Sequence, residues 1–202
     1  MECTKRKERW KSIKGIWYHQ LTAPTFNVSQ LIQSFAKRGL TVKDLATLSG
    51  GHTLGFSHCS SFEARLRNFS SLHDSDPSMN AEFVLDLRKK CSKPNHNHNA
   101  GQFLDSTASV FDNDYYKQLL AGKGVFSSDE SLVGDHRTKW IVEAFAKDQG
   151  LFFKEFAASM LKLGNLRGST NGEVRLNCRM ANWERQWTET NFSWFLFSLP
   201  RL

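Results

Sequence analysis

The stretch DLATLSGGHTLGFSHC, residues 44–59, decides how the rest of this sequence is read. Just before and within it, Thr41 and Asp44 stand at capping-box spacing, in which a hydroxyl and a carboxylate satisfy the free amides of a helix start. Val42, Leu45, Ala46 and Leu48 then recur at helical spacing, and Gly50-Gly51 are expected to break the helix. His52 follows at once, with Thr53 beside it. A histidine just past a helix end, flanked by small residues, lets a flat macrocycle approach the backbone, and neutral imidazole is a standard axial ligand for haem iron. Single histidines also occupy helix C-caps without any ligand, so this chemistry alone leaves both readings open.

Upstream, VSQLIQSFAKRG after Asn27 sets Val28, Leu31, Ile32, Phe35 and Ala36 on one helical face and stops at Gly39. Downstream, helices are expected in FEARLRNF, AEFVLDLRKK, NDYYKQLLAG and the long run TKWIVEAFAKDQGLFFKEFAASMLKLG, the last divided at Gly150. NHNHNAG and the Ser-Ser segments are expected as loops. Strand-like alternation is scarce, so the fold class is all-α, with no internal repeat.

Across 202 residues, 40% hydrophobic and 12% aromatic composition excludes pervasive disorder. A net charge of +7 and a pI near 9.3 imply attraction to polyanions, whether nucleic acid, acidic membrane or acidic polysaccharide. Cys3, Cys59, Cys91 and Cys178 form no CxxC pair, which argues against a zinc ribbon or a thioredoxin-type site and for structural disulfides. Sequons at Asn27, Asn68 and Asn191 fit a secreted origin, yet Met1 to Lys14 has no apolar run recognisable as a signal peptide. No stretch reaches the apolar length of a membrane span. Residues 1–20, with KRKER, Trp10 and Trp17, have no period and read as a separate piece, as does ANWERQWTETNFSWFLFSLPRL at the other end.

Residues 44–59 closely resemble the proximal haem-ligand signature of the class III secretory plant peroxidases. FDNDYYKQLLAGKGVFSSDESL, FFKEFAASMLKLGNL and EVRLNCR continue the resemblance in the family's order, over about residues 21–182, with 1–20 and 183–202 unmatched. The resemblance implies the proximal helical domain of the plant haem peroxidase fold, truncated by loss of its N-terminal half. It makes His52 the axial ligand of haem b and Asp129 the carboxylate that accepts the imidazole Nδ1 proton. Thr53, Asp105, Thr107, Val110 and Asp112 match the family's proximal Ca2+ site, with the two aspartates one residue closer than in some members. Cys59 and Cys91 match a family disulfide, for which loop entropy gives about 3 to 4 kcal/mol in an oxidising compartment. The family partner of Cys178 lies in the N-terminal half. Thr22 stands where the family usually has a proline of the aromatic-donor site.

The activity so implied is that of a monomeric, extracellular donor:hydrogen-peroxide oxidoreductase acting on phenolic small molecules, with no membrane and no specific nucleic acid as partner. Such an enzyme uses a distal histidine and arginine on an R-x-x-F-H-D-C motif, and no such motif occurs in these residues. Weak turnover is therefore expected, with a non-catalytic haem-binding remnant as the alternative. Polyanion or cell-wall polysaccharide contact through Lys5, Arg6, Lys7, Arg9, Lys11 and Lys14, with Trp10 and Trp17, is a further alternative. A zinc site from His96, His98 and His136 finds no cysteine or acidic ligand at useful spacing.

Overall fold

The computed structural model describes residues 22–92 and 100–166, which fall within one unit, Leu21–Leu166. Among the described residues the helices are α1 (Val28–Ala36), α2 (Val42–Ser49), α3 (Glu63–Leu66), α4 (Ala81–Lys90), α5 (Asp114–Leu120), α6 (Ser127–Gly134), α7 (His136–Lys147) and α8 (Gln149–Asn165). β1 (Phe56–His58) and β2 (Gly101–Phe103) pair antiparallel with Ser57 opposite Gln102. The expected all-α architecture holds, with this short ribbon as its only sheet among the described residues. No described helix is long and apolar enough to cross a membrane.

Both predicted helix starts are built from side chains that satisfy orphan amides. Asn27 Oδ1 accepts the Gln30 amide at 2.9 Å, and Gln30 Oε1 accepts the Asn27 amide at 3.0 Å. In α2, Thr41 Oγ1 accepts the Asp44 amide at 3.1 Å and Asp44 Oδ2 accepts the Thr41 amide at 2.9 Å. Asp44 does more than cap. Its buried Oδ1 also accepts from Ser159 Oγ at 2.8 Å and Lys162 Nζ at 2.9 Å, which ties α2 to α8. Burial opposes the Asp44 carboxylate, yet the Thr41 amide, Lys162 and the Thr41 and Ser159 hydroxyls together hold its pKa far below the ordinary range.

Leu45 and Ala46 of α2 pack with Tyr116, Phe145 and Phe152 from α5, α7 and α8 in one core cluster. The Tyr116 hydroxyl, buried among these rings, donates to the Ala46 carbonyl at 3.0 Å. A second cluster gathers Phe62, Leu66, Val84 and Leu87 beneath the Cys59–Cys91 disulfide, the pairing the resemblance implied.

Gly50-Gly51 end α2 as expected, at Ser49, and the chain tightens there into a 3-10 turn over Gly50–Leu54; three other local expectations are corrected. Gly50 is needed for space: a Cβ there would lie 2.3 Å from the Tyr116 hydroxyl oxygen and 2.6 Å from the Phe152 ring. FEARLRNF gives only the single turn α3, because the chain bends away through Asn68 at φ 51 and Asp74 captures the Asn68 amide at 3.1 Å. The Ser127-Ser128 segment begins α6, since polar residues suit a helix start. The long C-terminal run divides at Asp148, whose Oδ1 accepts the Leu151 amide at 2.9 Å, and Gly150 sits in the first turn of α8.

Gly50→Ala is expected to destabilise the fold by about 1 to 3 kcal/mol through overpacking against Tyr116 and Phe152. Urea denaturation of the variant beside the parent chain measures it.

Candidate functional site

The 3-10 turn after α2 carries His52, and the first turn of α6 carries Asp129. His52 Nδ1 lies 2.9 Å from Asp129 Oδ1, across 77 residues of sequence. The carboxylate side chain is 3% exposed and the imidazole 39% exposed. Tyr115 and Phe126 stand edge-on to the imidazole, at centroid distances of 5.8 and 5.5 Å. A carboxylate against Nδ1 fixes the proton on that nitrogen, so a neutral ring presents its lone pair at Nε2. Nε2 has no hydrogen-bond partner among the described residues.

Burial lowers the His52 pKa, but the charge of Asp129 and its hydrogen bond outweigh burial and raise it above 6.5. A raised histidine pKa contributes stability that is fully present below 6.5 and is lost as pH climbs through the folded value. Asp129 also holds its own helix start, because Oδ2 accepts the Phe126 amide at 3.4 Å. The helix-start role and the imidazole role therefore coexist in one side chain.

Arg65 secures the approach to α6. Its guanidinium, nearly fully buried, donates to the carbonyls of Gly124 at 2.6 Å and Val125 at 2.9 Å and to Asp76 Oδ2 at 2.8 Å. Glu130, next to Asp129, accepts the Gly124 amide at 3.1 Å. Burial pushes its pKa up to about 7, against the opposing pull of Arg65 and that amide.

Beside His52, the five oxygen-bearing residues of the second constellation come together. Thr53 Oγ1 lies 2.5 Å from Asp105 Oδ2, 3.3 Å from Asp112 Oδ1 and 3.5 Å from the Val110 carbonyl. Thr107 Oγ1 lies 3.1 Å from the same Asp112 oxygen. A hydroxyl has one proton, so Thr53 can donate to only one of its three neighbours. Burial raises the Asp105 pKa; the Thr53 hydroxyl and Thr107 amide oppose this, and the charges of Asp114 and Asp112 add to it. Crowded hard oxygens with surplus negative charge and too few protons suit a hard divalent cation.

Thr22 is exposed and joins neither group, although Pro24 nearby accepts the Ser128 amide at 2.9 Å at the start of α6. His136 is 92% exposed in its side chain and lies 3.9 Å from Asp135. Among the described residues no three of His, Cys, Asp and Glu gather to hold a metal, so the calcium-like set depends on hydroxyl and carbonyl oxygens beside its two carboxylates. His96, His98, Cys3, Cys178, the basic run, Trp10, Trp17, the EVRLNCR block and the C-terminal tail lie outside the described residues. Sequence reading missed Arg65 and Tyr115. A lone arginine inside the apolar pattern FEARL was the signal for the first, and the adjacent pair Tyr115-Tyr116 gave no sign of which hydroxyl faced the site.

The helical frame with this site also matches proteins of one kind. A family model described as Peroxidase matches residues 4–148. Peroxidase 66 of Arabidopsis thaliana is 68% identical over 163 residues, 80% of this chain and 51% of that protein. Peroxidase 64 of Arabidopsis thaliana is 49% identical over 82% of this chain and 52% of its own length. Peroxidase 2 of Hordeum vulgare is 44% identical over 76% of this chain and 90% of its own length. The chain belongs to the peroxidase family, among the class III plant peroxidases. It spans about half the length of the Arabidopsis relatives.

Two outcomes follow from the charges. In Asp129→Asn burial acts on His52 without its opposing carboxylate, so the imidazole is expected to titrate below 6.5 instead of above it, as read by histidine NMR. A glutamate at 4.5 unfolded and about 7 folded loses stability as pH rises between those values. Glu130→Gln is thus expected to stabilise the fold by up to about 3 kcal/mol at about pH 8 and to change little at about pH 4, by urea denaturation.

Proposed function

We propose that this chain forms the proximal side of a haem b site in a donor:hydrogen-peroxide oxidoreductase, with His52 Nε2 as axial iron ligand. The observation that carries the reading is the 2.9 Å contact of His52 Nδ1 with buried Asp129, which fixes the tautomer a ligand needs. When bound, haem supplies the redox chemistry through which hydrogen peroxide oxidises a phenolic donor. Asp129 holds the Nδ1 proton and makes the ring more electron-rich, which favours ferric and higher oxidation states. Tyr115 and Phe126 fix the plane of the ring by edge contact.

Thr53, Asp105, Thr107, Val110 and Asp112 would hold Ca2+ in this reading. Their convergence on Thr53, one peptide bond from His52, supports a cation that restrains the ligand's backbone. The proposed domain covers 21–182, with 1–20 and 183–202 as separate segments. The Cys59–Cys91 disulfide fits an extracellular setting.

The 202 residues contain no R-x-x-F-H-D-C motif, so the distal acid–base help, which contributes roughly 10²–10⁴-fold, is not supplied by them. By themselves they are proposed to bind haem and to turn over weakly. Thr22 in place of proline fits poor donor contact. The second reading is a haem- or polyanion-binding chain, for which the net charge of +7 speaks.

Titration with hemin is expected to give a Soret band shifted by axial imidazole, lost in His52→Ala; an unchanged band in that variant rules out His52 as ligand. Calcium chloride at a hundred times its dissociation constant is expected to stabilise the fold by about 2.7 kcal/mol, an effect removed in Asp105→Asn. Oxidation of a phenolic dye no faster than by free hemin selects the second reading.

A further inference from the structure

Asp129 presents one oxygen to two donors. Its Oδ1 lies 2.9 Å from His52 Nδ1 and 2.9 Å from the Tyr115 hydroxyl, whereas Oδ2, among the described residues, meets only the Phe126 amide, at 3.4 Å. Tyr115 is 1% exposed and stands edge-on to Tyr116 at 5.1 Å. Burial and then the neighbouring Asp129 charge raise its pKa well above 10, which keeps the phenol protonated and therefore a donor to this carboxylate. Packing does not require the hydroxyl, since a phenylalanine would fill nearly the same volume. What the hydroxyl adds is a second claim on the negative charge of the oxygen that holds the His52 proton.

We propose that Tyr115 is a positioning residue that sets how strongly Asp129 holds the His52 Nδ1 proton, because its hydroxyl competes for the same carboxylate oxygen and limits the electron density His52 passes on through Nε2. This rests on the reading of His52 as the haem ligand. Two donors on one carboxylate oxygen divide its charge, so each bond is weaker than it would be alone. The hydroxyl thereby opposes Asp129 while also keeping its carboxylate from rotating. The geometry makes the histidine–aspartate pair a three-membered unit whose strength is tuned from α5.

The experiment compares the parent chain with Tyr115→Phe and Asp129→Asn. In the haem-free chain with 15N-labelled histidine, the His52 Nδ1–H proton resonance is expected to move downfield in Tyr115→Phe and upfield in Asp129→Asn. In the hemin-loaded, reduced chain, the iron–imidazole stretching frequency is expected to rise in Tyr115→Phe and fall in Asp129→Asn. Site-specific 3-fluorotyrosine at position 115, a stronger donor with unchanged packing, is expected to shift both signals opposite to Tyr115→Phe, and it serves as the test should the phenylalanine variant not fold. Signals unchanged in Tyr115→Phe, or moved in the same sense as Asp129→Asn, overturn the inference. An iron–imidazole band that is missing from the parent chain, or that persists in His52→Ala, sinks the haem-ligand reading instead, and the haem-free resonance still decides whether Tyr115 acts on the pair.

Discussion

A carboxylate that is 3% exposed has to find donors, and Asp129 finds them on three separate pieces of the chain: the His52 ring after α2, the Tyr115 hydroxyl on α5 and the Phe126 amide ahead of α6. Burying a charge without such partners would be costly enough to neutralise it. With them, the same charge becomes the point on which three elements must agree in position. Arg65 extends that agreement outward, since its buried guanidinium grips the two carbonyls just before Phe126. The site is therefore held by electrostatics at its centre and by aromatic packing around it. Gly50, in the same 3-10 turn as the histidine, admits the Tyr116 and Phe152 rings, and the disulfide closes the second core.

The histidine and the oxygen cluster share a backbone. His52 points its ring one way, to Asp129, while Thr53, fully buried, points its hydroxyl the other way, among Asp105, Val110 and Asp112. A 3-10 turn makes this possible, because its three residues per turn place neighbouring side chains on different faces. The carboxylates of Asp105 and Asp112 thus lie on one side of the turn and the imidazole with its Asp129 partner on the other. Any ion that quiets the oxygen cluster acts on the same few atoms that aim the ring.

Much of this was legible in the sequence. The capping box at Thr41 could be predicted because its partner Asp44 lies three residues on, and local pairs of that kind need no knowledge of the fold; the same pairing of Asn27 with Gln30 came only from the structure. The aspartate-histidine pair could not be found that way. His52 and Asp129 are 77 residues apart, and only the likeness to a known family joined them before the structure did. Asp148, whose side chain caps α8, was overlooked in favour of Gly150 because glycine is the louder signal, although a capping carboxylate ends and restarts helices just as well. Tyr115 and Arg65 were illegible for a different reason. Their polar groups point inward, and an inward-facing hydroxyl or guanidinium has the same one-letter code as one at the surface.

The bonds that hold α2 have a consequence for how the molecule comes into being. Asp44 reaches Ser159 across 115 residues and Lys162 across 118, and Thr53 reaches Asp105 across 52. Helices such as α1 and α2 can form from local contacts early, but closing loops of that length is slow. A ribosome must release the chain beyond Lys162 before the segment bearing His52 is anchored at its start. Until then the helix that leads into His52 lacks its ties to α8, although the ring's own partners, Tyr115, Phe126 and Asp129, have already been made.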